Sequence, residues 1–257
     1  MQLSFYKYQG TGNDFIMIDN RDGKFDGSNN TLVANLCDRR FGIGADGLIL
    51  LENDPACDFK MVYYNSDGNT SSMCGNGGRC LVKFAYDLGV VGDKTVFMAV
   101  DGVHDAFVKD GLVYLKMINV NHIENIGEDF YMNTGSPHYV SFVNELDSYP
   151  VYAEGYRIRN NDRFAQVGTN VNFVEKLSAD TIGVRTYERG VEDETFSCGT
   201  GVTAAAIAAS LQGYLSPVKV KTKGGDLMIT FENSGGMYKE IFLCGPAERV
   251  FTGQVNI

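Results

Sequence analysis

Short apolar runs separated by polar, glycine-rich breaks run the length of the chain. Leu48–Leu51, Phe59–Tyr64, Val113–Met117 and Ile182–Tyr187 are rich in branched or aromatic residues and bounded by turn formers. Runs of this length and type predict strands. Helical spacing is confined to three segments. One is Thr31–Arg39, where Leu32, Leu36 and Cys37 recur on one face; the others are Gly77–Leu88 and Gly201–Gln212. Many short strands around few helices predict the α+β class, with sheets wrapped around helices.

The last two helices belong to a repeated unit. The first copy runs from strand Phe59–Tyr64 through the turn Asn65–Asn69 to Cys74-Gly75-Asn76-Gly77, then a helix stopped by Gly89. The second runs from Ile182–Tyr187 through Glu188-Arg189-Gly190 to Cys198-Gly199-Thr200-Gly201, then a helix stopped by Gly213. In each copy the stopping glycine lies 15 residues after the cysteine. Glycine is favoured there because the residue past a helix end commonly turns left-handed. The repeat predicts two similar domains facing each other, each contributing one cysteine. The boundary is expected in Asn119–Ile123, giving an N-terminal domain 1–118 and a C-terminal domain 119–246. The last strand, about 247–257, is expected to return to the first domain.

Composition narrows the function classes. The chain has 257 residues, 44% hydrophobic and 21% charged, as in an ordinary soluble enzyme. Its formal net charge is −10 and no basic run exceeds Arg39-Arg40, which argues against a nucleic-acid partner. No apolar stretch reaches bilayer-spanning length. The opening residues lack the basic-then-apolar layout of an export signal. A cytoplasmic location with no membrane partner is therefore expected. The cysteines Cys37, Cys57, Cys74, Cys80, Cys198 and Cys244 are then expected as free thiols. None is in CxxC spacing and the histidines lie apart from them, so no metal site is expected.

A Cys-Gly-x-Gly at a helix start carries chemistry. The first turn of a helix has unpaired N–H groups and the positive end of the dipole. Both favour a cysteine thiolate there. The glycines let a ligand come close to the backbone, so the N–H groups of Gly75-Asn76-Gly77 and Gly199-Thr200-Gly201 would cradle a carboxylate. With the copies facing each other, one sulfur would lie on each side of the carbon next to that carboxylate. Such a pair can remove a proton from one face and return one to the other. The N–H groups would stabilise the charge that develops on the carboxylate. The other four cysteines are expected to be packing residues, with Cys80 facing the core.

These residues resemble the diaminopimelate epimerases, and the resemblance runs nearly end to end. It covers Gly10-Thr11-Gly12-Asn13-Asp14-Phe15, the run Asp38–Gly47, Tyr64-Asn65-Ser66-Asp67-Gly68 and Met73–Cys80. In the second half it covers Gly135-Ser136-Pro137-His138, Asn170-Val171-Asn172-Phe173, Tyr187-Glu188-Arg189-Gly190 and Ser197–Gly201. It implies two pseudo-symmetric domains, each a mostly antiparallel sheet wrapped around a central helix, and no cofactor. The implied reaction interconverts LL- and meso-diaminopimelate on the way to lysine and cell-wall precursors. The resemblance makes Cys74 and Cys198 the acid and base, and His138 and Glu188 assisting residues. It implies substrate contacts by Asn13, Asn65, Gly75, Asn76, Ser136, Asn170, Glu188, Arg189, Gly199 and Thr200. A forked guanidinium such as Arg189 suits the distant carboxylate of this substrate. His138, just after Pro137, is expected in a loop. A homodimer is compatible with the family.

Two positions depart from the pattern. Gly47 stands where glutamine is common, so a side-chain contact would be missing. Ser136 stands where asparagine is common, so a direct contact there would become water-mediated. Rival readings exist. A proline or hydroxyproline racemase also pairs two cysteines, but Asn13, Asn65 and Arg189 suit a longer substrate with two charged ends. Gly42–Gly47 matches the G-x-G-x-x-G of dinucleotide-binding proteins, yet a helix is expected before it and a strand after it, the reverse of what that motif needs. A thiol-redox protein would be expected to carry CxxC.

Overall fold

The computed structural model describes residues 2–257. Contacts divide the chain into two compact units, Met1–Leu115 with Gly245–Ile257, and Lys116–Cys244.

The first unit contains β1 (Gln2–Gly10), β2 (Asn13–Asp19), α1 (Asn30–Cys37), β3 (Gly47–Glu52), β4 (Phe59–Asn65), α2 (Gly75–Asp87), β5 (Lys94–Ala99), β6 (Gly102–Lys109) and β7 (Leu112–Lys116). In the second unit lie β8 (Ile123–Ile126), β9 (Asp129–Asn133), β10 (Pro137–Phe142), α3 (Val151–Arg159), β11 (Asn170–Lys176), β12 (Thr181–Glu188), β13 (Asp193–Thr195), α4 (Gly199–Leu211), β14 (Val218–Thr222), β15 (Gly225–Ser234) and β16 (Met237–Gly245). The final strand, β17 (Glu248–Asn256), runs antiparallel to β1 from Gln2↔Asn256 to Gln9↔Glu248.

The sheet of the first unit has the order β17-β1-β2-β3-β4-β5-β6-β7. Only β2–β3 and β4–β5 are parallel. Parallel neighbours need a long crossover, and these two crossovers hold α1 and α2. The second unit repeats the scheme as β8-β9-β10-β11-β12-β14-β15-β16. Here β10–β11 and β12–β14 are parallel, and their crossovers hold α3 and α4. The short β13 folds back on the end of β12. The internal topology of the two units is thus the same, with the distant β17 serving in the first as β8 serves in the second. This is an α+β architecture in which most strand pairs are antiparallel.

Alternation along the strands explains why both faces are apolar. Phe15, Met17, Ile49 and Leu51 pack with Leu81, Val82, Phe84 and Ala85 of α2. The intervening Ile16, Ile18, Leu48 and Leu50 pack on the other face with Val33, Leu36 and Cys37 of α1. In the second unit Val140, Val174 and Val184 pack with Val202 and Ala204–Ala209 of α4. Val171, Phe173 and Tyr187 face Val151 and Ile158 of α3 instead. Helix α4 is apolar on every side because it is buried on every side.

Helix α3 is not evident from the sequence, because Gly155 interrupts it. The packing explains that glycine: a Cβ there would lie 2.3 Å from Cβ of Tyr187. Gly155→Val should cost roughly 1–3 kcal/mol, the range for overpacking a core. A urea midpoint equal to that of the parent protein would show that the contact is not rigid.

Candidate active site

Both cysteines of the repeat cap helices. Cys74 is the N-cap of α2 and Cys198 the N-cap of α4, each with an extended backbone. The helices therefore begin at Gly75 and Gly199, two residues earlier than sequence spacing predicts, since each glycine pair forms part of the first turn. Gly78 N donates to Cys74 O at 2.7 Å and Val202 N to Cys198 O at 2.9 Å. Gly89 and Gly213 sit just past the helix ends with φ of +69° and +96°.

Strand parity selects the polar residues near the α2 start. Phe15 and Met17 face α2, so Asn13 on the same strand does too. By the same rule Asn65 follows Phe59, Met61 and Tyr63 on β4. Asn76 Nδ2 donates to Asn13 Oδ1 at 2.5 Å, and Asn13 Nδ2 donates to Asp46 Oδ2 at 3.0 Å. Thr11 Oγ1 donates to Asn76 Oδ1 at 3.3 Å and accepts from the buried Arg79 at 3.0 Å. Arg39 clamps Asp46 at 2.7 Å and Asp14 at 2.6 Å, and Lys7 pairs with Asp14 at 2.7 Å. Burial works to raise the Asp14 pKa, but hydrogen bonds from Arg39 and Lys7 outweigh it and hold the carboxyl well below its ordinary range. Gly47 has no room for a side chain: a Cβ would lie 2.5 Å from the Tyr63 ring.

At the α4 start, parity along β10, β11 and β12 turns His138, Asn170, Asn172 and Glu188 toward the α4 face. His138 is not in a loop as expected. It is the second residue of β10 and is fully buried, because the turn ends at Ser136 and β10 pairs with β9 from Pro137 onward. Its Nε2 lies 2.8 Å from Thr200 Oγ1 and 2.9 Å from Ser136 Oγ. Thr200 Oγ1 is 3.5 Å from Cys198 Sγ. Asn170 Nδ2 donates to Ser136 Oγ at 2.9 Å, and Asn170 Oδ1 accepts from Arg189 N at 2.9 Å. The Arg189 side chain is exposed and donates to Val167 O at 3.1 Å. Glu188 accepts from Thr195 Oγ1 at 2.9 Å.

Electrostatics sort these groups. Burial pushes the His138 imidazole down to about 3, helped by the Arg189 charge and opposed by the Asn172 hydrogen bond. It is a neutral ring at ordinary pH. Burial raises the Glu188 carboxyl, and the Thr195 hydroxyl only partly offsets this. Among the remaining cysteines, burial raises Cys37 to about 11 and Cys80 to about 12. Cys80 faces the core of the first unit and Cys244 is buried in the second. Cys57 differs from the expected core placement in being only half-buried.

The segment Gly42–Gly47 follows α1 and ends on the first residue of β3, so it comes after a helix and leads into a strand. Among the described residues no helix is long and apolar enough to cross a membrane, and no three His, Cys, Asp or Glu side chains cluster as metal ligands. Sequence reasoning did not single out Thr11, Asp46 or Asn172. The signal for Asn172 was its place two residues after Asn170 on one strand, which puts both on one face.

The profile of the family described as Diaminopimelate epimerase matches residues 5–106 and 130–250. A diaminopimelate epimerase of Flavobacterium psychrophilum is 53% identical, with 97% of this chain and 98% of the relative covered. One from Aquifex aeolicus is 42% identical, with 99% and 98% covered. The crystal structure of a PhzF-family phenazine biosynthesis protein from Bacillus anthracis superposes with a TM-score of 0.77, at 11% identity and full coverage of both chains, and so shares the fold. Identity of this extent along nearly the whole chain, with a family profile that matches most of it, leaves one conclusion: the chain belongs to the diaminopimelate epimerase family.

Proposed function

We propose that the chain is an isomerase that interconverts LL- and meso-diaminopimelate, with Cys74 and Cys198 as the two proton-transfer groups. The observation that carries this reading is the duplicated cysteine N-cap. Each copy sets a sulfur at the N-terminus of a helix, beside the backbone N–H groups of its first turn, where negative charge is favoured. In this reading the N–H groups after each cysteine bind the substrate α-carboxylate and stabilise the charge that builds on it as the α-proton leaves. One thiolate removes that proton while the other thiol delivers its own to the opposite face. Inversion then needs no redox change.

The remaining residues take roles by chemistry. Asn13, Asn65, Asn76 and Asn170 both donate and accept, which suits an ammonium–carboxylate pair. Gly75, Gly199 and Thr200 contribute backbone N–H groups. Arg189, exposed and with its guanidinium donating to Val167 O, offers its fork to the distant carboxylate. Ser136, Glu188 and His138 complete the surroundings of the reacting centre. As in the family, the meso product would serve lysine and cell-wall precursor formation.

Epimerisation in heavy water tests the two-base scheme. Product formed early from either stereoisomer should carry deuterium at the inverted carbon, while unreacted substrate stays unlabelled. Product free of label would refute it. Arg189→Ala should raise KM for diaminopimelate by roughly ten- to hundredfold, the loss of a charge-assisted hydrogen bond. An unchanged KM would remove Arg189 from the binding set.

A further inference from the structure

The geometry points to Asn172 as a positioning residue that holds His138 in its Nε2–H tautomer and so aims the Thr200 hydroxyl proton at Cys198. This rests on the reading of Cys198 as one of the two proton-transfer thiols, and goes beyond it in naming what orients the donor next to the sulfur.

The chain of reasoning starts at a carbonyl. Tyr139 O can only accept a hydrogen bond. Asn172 lies 2.9 Å from it through Nδ2, which fixes the orientation of the amide. The same Nδ2 lies 3.1 Å from His138 Nδ1. An NH2 group can only donate, so Nδ1 must be bare. Thr186 Oγ1 donates to Asn172 Oδ1 at 2.9 Å and locks the other end of the amide. Asn172 and His138 are both fully buried, so water does not offer an alternative partner.

With Nδ1 bare and the ring neutral, the proton is on Nε2. Nε2–H faces two hydroxyl oxygens, Thr200 Oγ1 at 2.8 Å and Ser136 Oγ at 2.9 Å. Ser136 Oγ already accepts from Asn170 Nδ2 and lies 3.3 Å from Thr200 Oγ1. Whether His138 donates to Thr200 directly or through Ser136, Thr200 Oγ1 ends as an acceptor. With Ser136 Oγ as the donor in its pair with Thr200 Oγ1, the Thr200 proton has Cys198 Sγ, 3.5 Å away, as its partner. A donor there favours the thiolate of Cys198. The opposite tautomer would make Nε2 an acceptor and draw the hydroxyl proton away from sulfur. The charged group bearing on the ring is Arg189, which also disfavours an imidazolium.

Long-range proton–nitrogen correlation spectra of protein labelled with 15N-histidine test the assignment. The chain has 3 histidines, and loss of one signal set in His138→Gln identifies the ring. The parent protein should show His138 as a single Nε2–H tautomer that does not titrate between about pH 5.5 and 8. An Nδ1–H tautomer or an imidazolium in that range overturns the inference. In Asn172→Ala both tautomers should appear; a pure Nε2–H form would show that Asn172 is not the positioning device. Thr200→Val should lower kcat roughly ten- to hundredfold, as for loss of a hydrogen bond to a charged group, with Thr200→Ser restoring it. Equal rates for Val and Ser would end the relay even if Asn172→Ala does not fold. A protein with the expected tautomer but no α-proton exchange would leave this network standing and remove the catalytic reading instead.

Discussion

Cys198→Ala and Cys74→Ala should each lower the rate of epimerisation by about 10²–10⁴-fold, the contribution of a positioned general acid or base. Circular dichroism should stay that of the parent protein, because an N-cap cysteine makes no side-chain cap hydrogen bond in either helix. The two variants should also differ from each other. With one thiol left, only the stereoisomer whose α-proton points at that sulfur can still lose it. Slow exchange with deuterium, without inversion, should therefore persist for one stereoisomer in Cys74→Ala and for the other in Cys198→Ala. Mass spectrometry of recovered substrate reads this directly. If either variant epimerised at a rate within tenfold of the parent, the assignment of that cysteine would fail. If both exchanged the same stereoisomer, the thiols could not serve opposite faces.

The second large effect concerns the glycines of the repeat. Gly201→Ala should destabilise the protein by roughly 1–3 kcal/mol and lower kcat as well. A Cβ at Gly201 would lie 2.4 Å from Asn172 Oδ1 and 3.4 Å from Cys198 Sγ. Asn172 cannot give way without breaking its bonds to Tyr139 O, His138 and Thr186. Gly77→Ala, at the matching place in the first copy, should be mild. Its Cβ would meet the ends of Ile49, Met61 and Phe15 at 3.0–3.5 Å, which are side chains that can shift. The better helix propensity of alanine, about 1 kcal/mol over glycine, acts in its favour. Urea midpoints should fall clearly for Gly201→Ala and change little for Gly77→Ala. The reverse order would contradict the packing that distinguishes the two helix starts.

The helix starts were legible from sequence because three local signals coincide there. A Cys-Gly-x-Gly follows a strand and turn, an apolar run comes next, and a glycine able to take positive φ closes it. The strands Phe59–Tyr64 and Ile182–Tyr187 were legible for a similarly local reason, being short branched or aromatic runs between turns. Helix α3 was hidden, because Gly155 lowers helix propensity and its compensation, the close approach to Tyr187, comes from another strand. Pro137 marks a turn by local preference and so places His138 in a loop; pairing of β10 with β9 overrides that preference. Thr11 and Asp46 gave no signal, as a threonine in a glycine-rich turn and an aspartate before a strand are ordinary surface choices. Only folding brings them to Asn76 and Asn13.

The amino-acid order alone therefore determined the α+β class, the duplicated strand–turn–helix unit and the two cysteines at helix starts. Each of these follows from periodicity and backbone preference over a few residues, which a linear chain carries within itself. Tertiary structure decided which side chains surround each sulfur and which way their protons point. Those depend on strands far apart in sequence, such as the Tyr139 carbonyl on β10 orienting Asn172 on β11, and no local rule encodes a hydrogen bond whose partners meet only when the sheet closes around its helix.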